Sequence, residues 1–235
     1  MDLNIDDYVS GGYFVTQLFD RPERMSVDLL PGQILSVSRC LAAILPDSWN
    51  LSWVRTSEEE RYCAAAKFGL SPETTAELVE WVTERFDRNE VGFPGIFNSI
   101  ETARALLERF PLPKNCLLLG LGLHKQFVAE FKAVEAVVPG VGNGGVWQCV
   151  SAEQALADGF LIEGYEILGY DYGDFHSWLC NGLEVDADRL FGIRPAKHGL
   201  LARLDQADMV TEYVRRDETG AEPGLWLPWL VVRYA

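Results

Sequence analysis

Two short segments of the chain are almost wholly apolar, and both predict buried strands. The first is CLLLGLGL at 116–123, and the second is LWLPWLVV at 225–232. Apolar runs of this length are too short to cross a bilayer and are typical of strands in the core. Proline cannot donate a backbone hydrogen bond, so Pro228 predicts that the second strand lies at the edge of its sheet.

Alternating apolar and polar residues predict three further strands. Residues 8–19 read as a bulged strand or a strand pair with its irregular point at Gly11 and Gly12. Residues 160–173 alternate well enough for one long strand, or for a hairpin bent at its glycines. In 48–56, Trp49, Leu51 and Trp53 would share one face of a strand.

Helical spacing and capping residues predict the helices between these strands. Apolar residues three and four apart, fenced by prolines, predict a helix over 30–46. Capping-box patterns stand at Ser57–Glu60 and at Ser151–Gln154, and Ser71 precedes Pro72 at a further helix start. Asn98 or Ser99 begins another helix, and further helices follow at 124–134 and 204–216.

This order of elements predicts an α+β fold with a mixed or antiparallel sheet flanked by helices. Strands and helices do not alternate regularly, as they would in a parallel doubly wound sheet. The only plausible boundary is the glycine-rich segment 139–145. The sequence therefore predicts one domain over 1–235, with the alternative of a helix-rich subdomain 1–138 and a strand-rich subdomain 146–235.

The net charge of −15 is unevenly distributed along the chain. Residues 133–188 contain 10 Asp or Glu and no Lys or Arg across 56 positions. Such a segment disfavours nucleic acid and anionic membrane surfaces as partners, because both are bound through Lys and Arg. It would attract a basic protein or a metal ion, although solubility alone also explains an acidic surface.

The cysteines and the N-terminal residues predict a cytoplasmic protein without a cofactor. The five cysteines stand singly, with no CxxC pair, so neither zinc nor a redox couple is indicated. Residues 1–14 are acidic and lack the pattern of an export signal, so reduced thiols are expected. No segment predicts a membrane span.

The strongest candidates for chemistry lie in DYGDFHSWLCNGLE, residues 171–184. His176 and Cys180 would share one helical face, but the surrounding carboxylates would raise the pKa of a thiol rather than activate it. Four side chains could in principle bind a hard metal ion: Asp171, Asp174, His176 and Glu184. No recognised metal-loop or hydrolase motif accompanies them.

Gly120 and Gly122 stand after a predicted strand, as glycines do in a dinucleotide site. The third glycine of that motif is missing, and close packing of the backbone explains the two glycines equally well.

Aromatic residues beside carboxylates are also typical of a protein-binding surface. The sequence predicts a partner-binding set made of Tyr170, Asp171, Tyr172, Asp174, His176, Trp178 and Glu184.

The stretch GYEILGYDYGDFHSWLCNGLE (164–184), with the size, acidity and α+β make-up of the chain, resembles the immunity proteins of bacterial polymorphic toxins. The resemblance implies a non-enzymatic acidic protein that occludes a basic partner such as a toxin. Two alternatives remain open at this point. One is a small enzyme with a His/Cys or carboxylate–metal site, and the other is a structural or regulatory module.

Overall fold

The computed structural model describes residues 3–23, 25–38, 41, 51–92, 95–113, 115–134, 145–171 and 173–235. Tyr172, Trp49 and residues 139–144 therefore lie outside the described residues.

Seven strands form one curled antiparallel sheet. They are β1 (Tyr8–Gln17), β2 (Val91–Gly92), β3 (Ile96–Phe97), β4 (Cys116–His124), β5 (Phe160–Asp171), β6 (Asp174–Ser177) and β7 (Leu225–Tyr234). Their order across the sheet is β2-β3-β1-β4-β7-β5-β6.

The described residues also form seven α-helices. They are α1 (Glu58–Lys67), α2 (Pro72–Asp87), α3 (Ile100–Arg109), α4 (Val128–Ala133), α5 (Val146–Ser151), α6 (Leu183–Phe191) and α7 (Leu204–Val214). The predicted α+β class, with an antiparallel sheet flanked by helices, is confirmed. The sheet takes strands from both sides of segment 139–145, because β4 pairs directly with β7.

Helices cover both faces of the sheet. Core residues from α1, α2, α3, α6 and α7 pack together on one face with Tyr13, Tyr165 and Trp226. Those from α4 and α5 pack on the other face with Phe175 and Trp229. Strands β1, β4 and β7 are therefore buried on both sides along most of their length, which explains the nearly unbroken apolar runs in β4 and β7. The first residues of β5 are the exception, since Leu161 and Ile162 are exposed.

Three helices begin at the capping serines that the sequence indicated. Ser57 accepts from the Glu60 amide, and the Glu60 carboxylate accepts from the Ser57 amide, completing the capping box of α1. Ser71 and Ser99 cap α2 and α3 by accepting amide hydrogen bonds three residues ahead. These caps satisfy amides that no helical carbonyl can reach.

Pro228 does not mark an edge strand, because β7 lies between β4 and β5. The pairing of β7 with β4 ends at Trp229, while Pro228 itself faces Ile167 of β5. Beside Pro228, β7 thus has only one paired neighbour, and the missing N–H leaves no gap in the β4 ladder.

Three local predictions are wrong. Residues 30–38 are not helical, because Ile34 pairs with Phe19 in a β-bridge; 39–40 and 42–46 lie outside the described residues. The described part of 48–56 contains a 3-10 helix, Ser52–Arg55, instead of a strand. Ser151 ends α5 rather than beginning a helix.

Two ambiguous segments are resolved as bulged strands. In β1 the register shifts between Ser10 and Gly12, and in β5 it shifts between Ile162 and Gly164. Gly164 has a φ of 144°, and a Cβ there would lie 2.7 Å from the Leu201 carbonyl oxygen. The bulge in β5 therefore depends on glycine.

Candidate functional site

The segment singled out by the sequence forms a hairpin and the turn that follows it. β5 and β6 pair from Leu168–Ser177 to Asp171–Asp174. A 3-10 helix, Trp178–Asn181, then leads into α6.

Most of the predicted partner-binding side chains lie inside the protein. Trp178 is 0% exposed, Glu184 1%, Tyr170 2% and Asp174 8%. Asp171 and His176 are partly exposed, and Tyr172 lies outside the described residues. Among the described members of the set, Asp171 and His176 are therefore the ones with side-chain surface open to a partner.

His176 and Cys180 do not share a helical face, because His176 lies in β6. Its Nδ1 is 4.0 Å from Glu222 Oε1. The Cys180 Sγ lies 3.6 Å from the Ser38 hydroxyl instead. The premise for a Cys–His nucleophile on one helix is therefore wrong.

The acidic segment 133–188 does not form one acidic face. Three of its carboxylates, Glu166, Asp174 and Glu184, are buried. Four others pair with basic side chains from outside the segment: Glu153 with Lys132, Glu163 with Lys197 and Arg233, Asp186 with Arg189, and Asp188 with Arg194. Folding thus pairs four of these carboxylates and buries three others, so the run of one sign in the sequence does not become a run of exposed, unpaired charge.

Exposed negative charge is concentrated on α2 instead. Its outward positions carry Glu73, Glu77, Glu80, Glu84 and Asp87, all exposed. At 3.6 residues per turn these five positions fall within an arc of roughly 80° around the helix. Of these five carboxylates, only Glu84 has ion-pair partners among the described residues: Arg85 at 3.8 Å and Arg88 at 3.9 Å. We call these five residues the α2 acidic stripe.

Glu166 is a carboxyl group completely buried in the sheet. Its Oε1 accepts a hydrogen bond from the Ser36 hydroxyl, while Oε2 has no partner in the described part of the chain. Burial raises the pKa of Glu166 to about 7, although polar contacts with Ser36, Ser177 and the Val37 backbone favour the ionised form.

Three serines, Ser36, Ser38 and Ser177, connect segment 36–38 with strands β5 and β6. Ser36 accepts from the Ser38 amide at 3.0 Å, and Ser38 accepts from the Ser177 amide at 3.2 Å. Segment 36–38 is therefore fixed to β5 through Glu166 and to β6 through Ser177.

A second polar group lies on the other face of the sheet. The Tyr8 and Tyr165 hydroxyls are 2.6 Å apart, although β4 and β7 separate their strands. Three strand spacings of a flat sheet would amount to roughly 14 Å. The two tyrosines meet because the sheet curls toward this face.

His124 and Asp208 complete this group, which we call the tyrosine cluster: Tyr8, His124, Tyr165 and Asp208. The His124 ring meets Tyr8 edge-on, with 5.1 Å between centroids. Asp208 lies on α7, where Oδ2 accepts from Gln126 at 3.5 Å and Oδ1 is buried without a described partner. Burial raises the pKa of Asp208. Burial is also the main cause that raises the pKa values of Tyr8 and Tyr165, and the charge of Asp208 adds to it.

No metal centre accompanies these groups in the part of the chain that the structure describes. No three His, Cys, Asp or Glu side chains come together there as a metal-binding group.

Gly120 and Gly122 lie within β4 and not in a strand-to-helix turn. A Cβ on Gly120 would lie 3.0 Å from the Tyr234 ring, and one on Gly122 would lie 3.0 Å from Leu156. The glycines therefore serve packing across the sheet.

Comparisons with protein families, with curated proteins and with solved structures find no match for this chain. None of the described helices is long and apolar enough to span a bilayer.

Sequence reasoning missed both Glu166 and the tyrosine cluster. For Glu166, the only indication in the sequence was a carboxylate between apolar neighbours in YEIL, residues 165–168. No local signal existed for the second, since Tyr8 and Tyr165 are 157 residues apart.

Proposed function

We propose that this chain is a non-enzymatic acidic binding protein in the cytoplasm, and that it occludes a basic protein partner such as a bacterial toxin. The observation that carries the proposal is the α2 acidic stripe. Five carboxylates project from one helix face, and described basic groups pair with only one of them.

The charge around the stripe supports the same proposal. Residues 57–90 contain nine carboxylates and only four basic side chains. A surface of this sign speeds the association of a basic partner and repels nucleic acid. The resemblance to immunity proteins makes a toxin the partner of first choice, and Asp171 and His176 of the predicted set remain candidates for a second contact.

The fold also allows α2 to act as a rigid binding element. Leu78, Trp81 and Val82 anchor its inner face in the core, so the stripe is held on a fixed scaffold. A preorganised surface loses less conformational freedom on binding than a loop would.

The test compares two triple variants with the same change in net charge. In the first, Glu73, Glu77 and Glu80 are replaced by Gln. In the second, the exposed and dispersed Asp6, Asp158 and Glu218 are replaced by Asn, Asn and Gln. Affinity capture from the cognate lysate, followed by association kinetics at increasing salt, is the measurement.

We expect a basic protein to be captured by the wild type and by the dispersed variant but not by the α2 variant. Its association rate should fall as salt rises. Capture that is equal with both variants would place the contact elsewhere and contradict the proposal. Failure to recover any basic protein would contradict it as well.

A further inference from the structure

We propose that the tyrosine cluster, with Thr211 one turn further along α7 than Asp208, binds a small neutral molecule that carries hydroxyl groups, such as a sugar or a polyol. This inference does not depend on the α2 acidic stripe. It rests on the polar groups that the curled sheet brings together and on what they can still bind.

Two hydrogen-bond donors of the cluster remain available. Whichever tyrosine hydroxyl donates within the Tyr8–Tyr165 pair, the pair uses only one of its two hydrogens, and no described group accepts the other. The His124 Nδ1 accepts from the Gln126 amide at 3.3 Å, which leaves the ring hydrogen on Nε2. These donors require an acceptor.

Unpaired acceptors lie on α7, and one of them belongs to Asp208, whose charge acts on Tyr8, Tyr165 and His124. Asp208 Oδ1 is buried without a partner in the described part of the chain, and the same is true of Thr211 Oγ1 one helical turn further on. Thr211 is 3% exposed. Leaving a buried polar atom unpaired costs roughly 1–3 kcal/mol, so a group that pairs with it would be stabilised.

The mixture of donors and acceptors selects the class of ligand. A hydroxyl group both donates and accepts, so it could satisfy a tyrosine or histidine donor and the Asp208 carboxylate together. An ammonium group has no acceptor for the tyrosine and histidine hydrogens. An anion would meet Asp208 and the nearby Glu212, while Arg215 already bonds the Trp226 carbonyl and Glu130.

Aromatic surfaces provide the remaining contact. Tyr8, His124 and Phe127 form a chain of rings, with centroids 5.1 and 6.4 Å apart. Rings of this kind bury the apolar face of a ligand while its hydroxyl groups bond the polar atoms. The partly exposed His124 and Asp208 place the cluster beside solvent.

The experiment uses glucose, myo-inositol and glycerol as probes and measures binding by saturation-transfer NMR with the full chain. Propylamine and acetate serve as charged comparison compounds. The variants are Asp208→Asn and Thr211→Val. The matched control is Asp205→Asn, which removes an exposed carboxylate from the first turn of the same helix. Near-UV circular dichroism and melting follow the fold of each protein.

We expect at least one probe to bind the wild type and the control saturably. The dissociation constant should rise about tenfold in each cluster variant, as expected for one lost hydrogen bond to a charged or buried group. Because burial raises the pKa of Asp208, Asp208→Asn should melt at the wild-type temperature or above it. If Asp208→Asn fails to fold, Thr211→Val still decides the question.

Three results would overturn the proposal. The first is the absence of saturable binding by any of the three probes. The second is unchanged binding in the folded cluster variants. The third is preferential binding of propylamine or acetate, because it would contradict the hydroxyl class.

Discussion

At the scale of single residues, Glu166 links protonation to packing. Its carboxyl is buried against Ser36 and Ser177, and its pKa is raised to about 7. The protonated acid can remain buried at little cost, whereas the carboxylate must do so with one oxygen unpaired. Glu166 should therefore favour the folded state while protonated and oppose it once ionised.

The pH dependence follows from the direction of this shift. The pKa of Glu166 is higher in the folded protein than the ordinary 4.5, so its contribution to stability is complete below about pH 4.5 and is lost as pH rises through about 7. Glu166→Gln cannot ionise. Relative to the wild type, its free energy of unfolding should rise by roughly 3 kcal/mol between about pH 4 and about pH 8.

Urea unfolding at several pH values measures this difference. Asp158→Asn, which removes an exposed carboxylate, serves as the control and should show no comparable trend. A stability difference between Glu166→Gln and the wild type that is flat with pH would show that Glu166 does not couple protonation to folding.

At the scale of elements, helices with their own caps could be predicted from sequence, whereas segments fixed by distant partners could not. Ser57, Ser71 and Ser99 act within one turn of chain, and their patterns predicted three helix starts, whereas the same kind of pattern at Ser151 stands at the end of a helix. Residues 30–38 had helical spacing, but pairing with Phe19 holds Ile34 extended. Tertiary contacts override such weak local preferences.

The cap of α2 gives a direct test at this scale. Ser71→Ala removes the hydroxyl that accepts from the Thr74 amide and should lower the free energy of unfolding by about 1 kcal/mol. Thr83→Ala, on the exposed side of the same helix, should leave stability unchanged or slightly higher. Chemical denaturation measures both, and equal effects would mean that the Ser71 cap does not stabilise α2.

At the scale of the whole molecule, the sheet order determines what the sequence could not reveal. The sequence identified β4, β5 and β7 as strands, but nothing local indicates that β7 lies between the other two. The tyrosine cluster and the long-range ion pairs depend on that order. The tyrosine cluster spans four strands, and the ion pairs of Glu163 reach Lys197 and Arg233 in distant parts of the chain.

The central position of β7 predicts the effect of shortening the chain. Removing residues 225–235 would expose the facing edges of β4 and β5, so the product should be insoluble or lack a cooperative melting transition. Removing Ala235 alone should have little effect, because it follows β7. Circular dichroism and protease digestion test this prediction. A soluble shortened chain with a cooperative transition would contradict it.

The position of β7 also bears on how the protein folds during synthesis. On the ribosome, β4 and β5 are made well before residues 225–234, so their common neighbour is still missing when they emerge. Until it arrives, two apolar strand edges remain open to other chains, as is typical of sheets built from distant segments. We therefore expect nascent chains that stall before Leu225 to depend on chaperones.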